Sequence, residues 1–212
     1  VDLNIEHLGD NAQYLDITES DAFAFEVDDI DKYQSMKEAL ETEFDEAKYA
    51  LAESADAFVG EQAQYANSNM ISASTDISGL TSMLSPINDA HIALYKNNVS
   101  QKTELAADLN PEHIVGIRTE LAELFTENVE FVKRGALGKY GNTYLRMSNN
   151  LYNDNTDDYE MVRTKKAIAF AGQIDKMETC RKEKGFADIV KGLHVYGAKL
   201  VRPKELYVIK AH

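Results

Sequence analysis

The sequence predicts an α+β fold, and three observations carry that expectation. One stretch of about thirty residues repeats its apolar positions at the helical period. Shorter stretches before and after it alternate apolar and polar residues. Turn and cap residues punctuate what lies between.

The first segments read as strand. Leu3, Ile5 and Leu8 alternate with polar residues, Gly9-Asp10-Asn11 supplies a turn, and Leu15 and Ile17 alternate again. Phe23, Phe25 and Val27 predict a further strand, closed by the acidic elbow Asp28-Asp29-Ile30-Asp31. Carboxylates at that point suit the positive end of the helix that follows.

That helix is predicted over residues 35–65. Met36, Leu40, Phe44, Ala47, Leu51, Ala55 and Phe58 recur at steps of four or three residues. Ala, Glu, Lys and Leu dominate, with no Pro or Gly before Gly60. At 1.5 Å per residue, about thirty residues reach roughly 45 Å. The other faces carry Glu43, Glu46, Glu53 and further acids.

Residues 67–83 are rich in Ser, Thr and Asn and read as a loop. A short helix is expected from Pro86 to Lys96. Asn110 and Pro111 form a helix start, cap then first position, for a helix burying Ile114, Ile117, Leu121 and Phe125. Gly135, Gly138 and Gly141 mark a turn region before a strand at Tyr144, Leu145 and Met147. Residues 166–171 and 173–180 read as two strands, Arg181 to Gly185 as a basic loop, and 186–201 and 205–210 as the last strands, broken by Pro203.

Charge is unevenly spread. Residues 1–66 hold 18 acidic and 3 basic side chains, net −15; residues 67–212 hold 18 and 19, net +1, which together give the −14 of the chain. Proteins that grip phosphate backbones show the reverse, so specific DNA binding is not expected. No apolar run approaches the roughly 18 residues of a membrane helix. The single cysteine, Cys180, rules out an intramolecular disulfide and has no nucleophile signature around it. The spacing of Gly135, Gly138 and Gly141 lacks the Gly-Lys-Ser/Thr of a phosphate loop. Asp154, Asp157, Asp158 and Glu160 gather oxygen ligands in a predicted loop, but without the glycine and distal glutamate of a calcium loop. His91 and His113 fall in helices outside any zinc-binding spacing. The expectation is therefore no catalytic residue, no metal and no cofactor.

Several stretches resemble the major capsid proteins of tailed bacteriophages, which share the Hong Kong 97 fold. Residues 23–31 (FAFEVDDID) are similar to the strand and elbow before that family's long spine helix, and residues 45–58 (DEAKYALAESADAF) to the helix itself. Residues 108–112 (DLNPE) resemble the entry to a central-domain helix. Residues 135–151 (GALGKYGNTYLRMSNNL) resemble a recurrent glycine-rich segment ending in SNNL, and residues 192–212 the closing strands, with Arg202-Pro203 between them.

The resemblance implies a spine helix, a peripheral domain, a central (axial) domain and an extended β-hairpin arm. Residues 1–22 would be a remnant of the arm, 23–66 plus 174–198 the peripheral domain, and 67–173 plus 199–212 the central domain. Family members carry more chain before the arm, so a trimmed polypeptide is expected. The implied function is a virion shell subunit made in a bacterial host cytoplasm, self-assembling into hexamers and pentamers around double-stranded DNA. Packaged DNA would be a neighbour without specific contacts. Scaffold and portal proteins are the other implied partners, and no membrane is. Contacts between identical chains need both charge signs, which nominates Glu43, Glu46 and Glu53 on the helix and Arg181, Lys182 and Lys184 in the basic loop. Two other readings stay open: a bacterial nanocompartment shell, and an acidic helical module that binds a basic partner.

Overall fold

A computed structural model describes residues 13–28, 37–80, 82–124, 138–183 and 185–212. The predicted strand at Leu3, Ile5 and Leu8, Asp29 to Asp31 of the elbow, Met36, Phe125 and Gly135 lie outside the described residues.

Two sheets organise the chain. The first has three antiparallel strands in the order β1 (Glu19–Asp28), β8 (Ala187–Leu200), β7 (Ile168–Arg181). β7 is one strand of 14 residues where the sequence suggested two; a register shift between Gln173 and Asp175 is the irregularity behind that expectation. Leu15 and Ile17, expected in a strand, lie in an irregular segment. That segment crosses β8 where a side chain would block it: a Cβ on Gly197 would collide with the backbone of Asp16 and Ile17. Lys199 Nζ fastens it by donating to the Tyr14 carbonyl at 2.6 Å.

The long helix α1 (Lys37–Glu61) runs 25 residues, about 37 Å, and continues as a 3₁₀ turn, Gln62–Tyr65. The end of its predicted stripe, Ala55 and Phe58, is directed at the three-stranded sheet. Ala55 is buried, Phe58 meets Tyr196 of β8 edge to face at 5.7 Å, and Ser54 Oγ hydrogen-bonds the Tyr196 hydroxyl at 3.2 Å. Tyr196 in turn donates to Asp21 of β1 at 2.7 Å. Hydrogen bonds from Ser54 and Tyr196 hold the Asp21 carboxyl below its ordinary range. One small polar network therefore ties α1, β8 and β1 together.

The second sheet has six strands: β3 (Lys139–Tyr140), β4 (Thr143–Met147), β2 (Leu105–Leu109), β6 (Asp158–Thr164), β5 (Tyr152–Asn153) and β9 (Leu206–Ala211), the last pairing with β6. β2 and β4 run parallel, joined through α3 (Pro111–Leu124). Both faces of this sheet are covered. On one, Leu105, Leu109, Val162 and Ile209 pack with Ile87 and Leu94 of α2 (Ser85–Lys96) and with Ile114 and Ile117 of α3. On the other, Met161, Leu206 and Val208 pack with Ala63, Ala167 and Ile168. Truncating a fully buried leucine or isoleucine of this core costs about 2–5 kcal/mol.

Three local expectations change here. Residues 154–160 read as an acidic loop, yet Asp158 to Glu160 open the central strand β6. The serine-rich stretch 67–83 is pinned along β9: Ser72 and Thr75 donate backbone N–H groups to the carbonyls of Val208 and Lys210. β2 went unrecognised, because five residues (LAADL) are too few to show a period. The glycine region, by contrast, is a turn between strands: Gly141 at φ 58° makes the two-residue connection from β3 to β4.

Candidate inter-subunit surfaces and the buried polar cluster

The nominated charges sit on two parts of the first sheet and its helix. Glu46 and Glu53 are exposed on α1, two turns apart and so on one face. The backbone of Glu43 belongs to α1, while its side chain lies outside the described residues, as does Lys184. Arg181 ends β7 and Lys182 follows in the connection to β8. Their carboxylate partners are within the sheet itself: Arg181 donates to Asp188 of β8 at 3.0 Å, and Lys182 Nζ reaches both oxygens of Glu26 of β1 at 2.7 and 2.8 Å. The structure thus brings Arg181 and Lys182 together at the hairpin tip and leaves the described acids, Glu46 and Glu53, on the helix.

Apolar side chains are exposed beside these charges. Phe186, in the β7–β8 connection, is 80% exposed, and Tyr49, between Glu46 and Glu53 on α1, is 72% exposed. Phe170, Met147, Val115 and Ile92 are also exposed.

The ionisable groups of the second sheet are arranged differently. Lys210 Nζ bridges Asp154 at 3.2 Å and Asp157 at 3.8 Å and lies over the Tyr159 ring at 4.6 Å. The backbone N–H of Asp157, together with Lys210, lowers Asp154 to about 2. Contacts with Tyr159 and Asp154 raise Lys210 above the usual lysine range. Asp158 accepts from Asn153 at 2.7 Å, and Glu160, two residues on and so on the same face of β6, accepts from the Asn110 N–H as Asp158 does from Asn110 Nδ2. The four acids of residues 154–160 therefore divide into two groups, Asp154 and Asp157 on Lys210, and Asp158 and Glu160 on Asn110. Asp108 of β2 meets Arg146 at 2.6 Å and Arg163 at 3.3 Å.

Sequence reasoning missed the most enclosed cluster. Asn110 caps α3 as predicted, its Oδ1 accepting the His113 N–H at 2.7 Å. His113 and Glu160 have fully buried side chains, with Nδ1 and Oε2 2.6 Å apart. The Asn110 N–H donates to Glu160 Oε1 at 2.9 Å. Burial pulls the His113 imidazole down, but the hydrogen bond and charge of Glu160 and the Met83 carbonyl outweigh it, so the net shift is upward. Each residue is unremarkable in sequence, 47 positions apart; only the packing of α3 on β6 makes them a pair.

No family model matches the chain, and no curated protein matches it. Solved structures do. A structure from Mycobacterium phage Che8 superposes with a TM-score of 0.75 at 26% identity, over 92% of this chain and 71% of that one. The capsid structure of cyanophage P-SCSP1u gives 0.68 at 15% identity, over 98% and 78%. The chain has the Hong Kong 97 capsid fold. The capsid of Ralstonia phage GP4 shares it, at a TM-score of 0.69 and 12% identity over 92% of this chain and 73% of that one. So does the SrpI encapsulin complex of Synechococcus elongatus, at 0.61 and 7% over 91% and 73%. These matches extend over nearly the whole chain.

Proposed function

We propose that the chain is the major capsid protein of a tailed bacteriophage, a structural subunit and not an enzyme. It builds hexamers and pentamers that enclose packaged double-stranded DNA. The observation that carries this reading is the likeness to the Che8 structure over 92% of the chain, the one identity above a quarter among the matches described.

Two physical features support it. The described surface carries large exposed apolar groups such as Phe186 and Tyr49. Neighbouring copies would cover them. Acids on α1 and bases at the hairpin tip offer opposite signs to identical partners, which sets orientation more than affinity. Many weak repeated contacts then add up to a stable shell.

In this reading residues 1–22 belong to the extended arm. Residues 23–66 with 174–198 form the peripheral domain, and 67–173 with 199–212 the central one. Glu43, Glu46, Glu53, Arg181, Lys182 and Lys184 lie at contacts between subunits. Scaffold and portal proteins guide assembly, and DNA is met only by non-specific proximity.

The test is assembly. Chain produced with its neighbouring shell genes is expected to form large icosahedral particles, visible by electron microscopy, that contain DNA. Protein that stays monomeric across salt and scaffold conditions overturns the reading. The encapsulin match favours a second reading, a nanocompartment shell; particles filled with an enzyme cargo and free of DNA would select it.

A further inference from the structure

The His113–Glu160 pair has a proton count that its geometry fixes. His113 Nε2 faces the Met83 carbonyl at 2.8 Å, and an oxygen of that kind can only accept, so Nε2 carries hydrogen. Nδ1 faces Glu160 Oε2 at 2.6 Å, and that contact needs a second proton, whether it rests on nitrogen or oxygen. Glu160 Oε1 already accepts from the Asn110 N–H. The pair therefore holds two protons, with both side chains fully buried. In an unfolded chain above pH 6.5 the same two side chains hold one, a neutral imidazole and an ionised carboxyl.

The pair also fastens something. Met83 and Ser82 precede α2 and dock on one face of α3. Beyond the His113 contact, the Met83 N–H donates to Glu120 Oε2 at 2.7 Å, and Ser82 Oγ donates to Glu120 Oε1 at 2.7 Å. Between His113 and Glu120 the helix presents Gly116, against which the Met83 side chain lies; a Cβ there would come 2.9 Å from its sulfur. Removing the shared proton sets Nδ1, now a lone-pair acceptor, against a carboxylate with no water to separate them. The buried contact becomes repulsive.

We propose that His113 and Glu160 form a proton-dependent latch that fastens the start of α2, through Met83, to α3 and β6. The other charged groups on the surrounding elements are Glu120 on α3, Asp158 on β6, which accepts from Asn110 Nδ2 at 3.4 Å, and Asp108 on β2 with its arginines Arg146 and Arg163. On α2, His91 bonds Thr143.

Glu160→Gln separates the latch from its proton. The amide oxygen can still accept from Asn110, the amide nitrogen can donate to a neutral Nδ1, and Nε2–H keeps Met83, so every bond survives without the extra proton. For the full chain, the folding equilibrium should weaken above pH 6.5 by up to tenfold per pH unit for one proton, and Glu160→Gln should remove that part of the slope. Amide exchange at residues 82–85 should quicken with pH beyond its intrinsic rise in the wild type and not in the variant. Equal slopes in the two proteins overturn the proposal. If Glu160→Gln does not fold, nitrogen shifts of the wild-type His113 ring decide: an unprotonated Nδ1 beside an ionised Glu160 at pH 7 overturns it, and a protonated pair supports it.

Discussion

Gly60, the last residue but one of helix α1, lies directly against the carbonyl of Asn150, so closely that a Cβ on Gly60 would overlap the oxygen. Asn150 belongs to the Ser148-Asn149-Asn150 turn, and its side chain donates to the Glu53 carbonyl of the same helix at 3.5 Å. Helix α1 and the β4–β5 turn therefore meet backbone to backbone. Gly60→Ala is expected to destabilise the chain by about 1–3 kcal/mol, since neither backbone can give way cheaply. A shift in the denaturation midpoint at unchanged m-value measures it.

The Phe23 ring lies over Gly192 in the paired strands β1 and β8 and would clash with a Cβ there. Here the obstacle is a side chain. Gly192→Ala should cost stability, and combining it with Phe23→Ala should recover the steric part of that cost. A double-mutant cycle showing strictly additive losses would contradict the packing.

Asn110 is the cap of α3 and shares its backbone N–H with Glu160. Asn110→Ala should cost about 1 kcal/mol and Asn110→Ser much less of the capping contribution, because the hydroxyl can accept the same N–H without setting a new charge beside Asp158 and Glu160. Thermal melts of the two variants side by side give the comparison.

His91 bonds Thr143 at 2.6 Å, and burial holds its imidazole below the ordinary 6.5. The unfolded chain then binds more protons than the folded one as pH falls through 6.5. The stability this residue contributes is complete above 6.5 and is lost as pH falls through the lowered folded value. His91→Gln should flatten the acid-side loss, seen as melting temperatures less dependent on pH between 5 and 6.5.

In the proposed shell, where Arg181, Lys182 and Lys184 lie at contacts between subunits, Arg181→Glu with Lys182→Glu and Lys184→Glu should raise the concentration needed for particle assembly by roughly tenfold or more, because a small loss at each contact repeats. Glu26→Lys with Asp188→Lys, added to restore both pairs within the sheet, should return subunit stability without returning assembly. Light scattering against concentration, with circular dichroism for folding, separates the two effects.

Much of this was legible in the residues. The helix α1, the helices at Pro86 and Pro111, the cap at Asn110, the turn at Gly141 and the strands β4, β8 and β9 each announce themselves through a period of 3.6, an alternation of two, or a residue suited to one backbone conformation. Those signals are local, since a helix face or a cap is fixed by neighbours within four positions. The stretches around VDDID, SNNL and YGAKLVRP carried the likeness to capsid proteins in the same way.

Only the tertiary structure decided the rest. β6 is covered on both faces, so its residues show no alternation, and its buried Glu160 looks like a solvated acid until α3 brings His113 to it. β2 is too short to show a period and exists because β4 and β6 pair with it on either side. Arg181 and Lys182 look like free bases until β8 and β1 supply Asp188 and Glu26. A sequence fixes which segments can be helix or strand, because that physics is short-ranged; which charges are neutralised, and which acids are buried, depends on contacts between residues far apart in the chain.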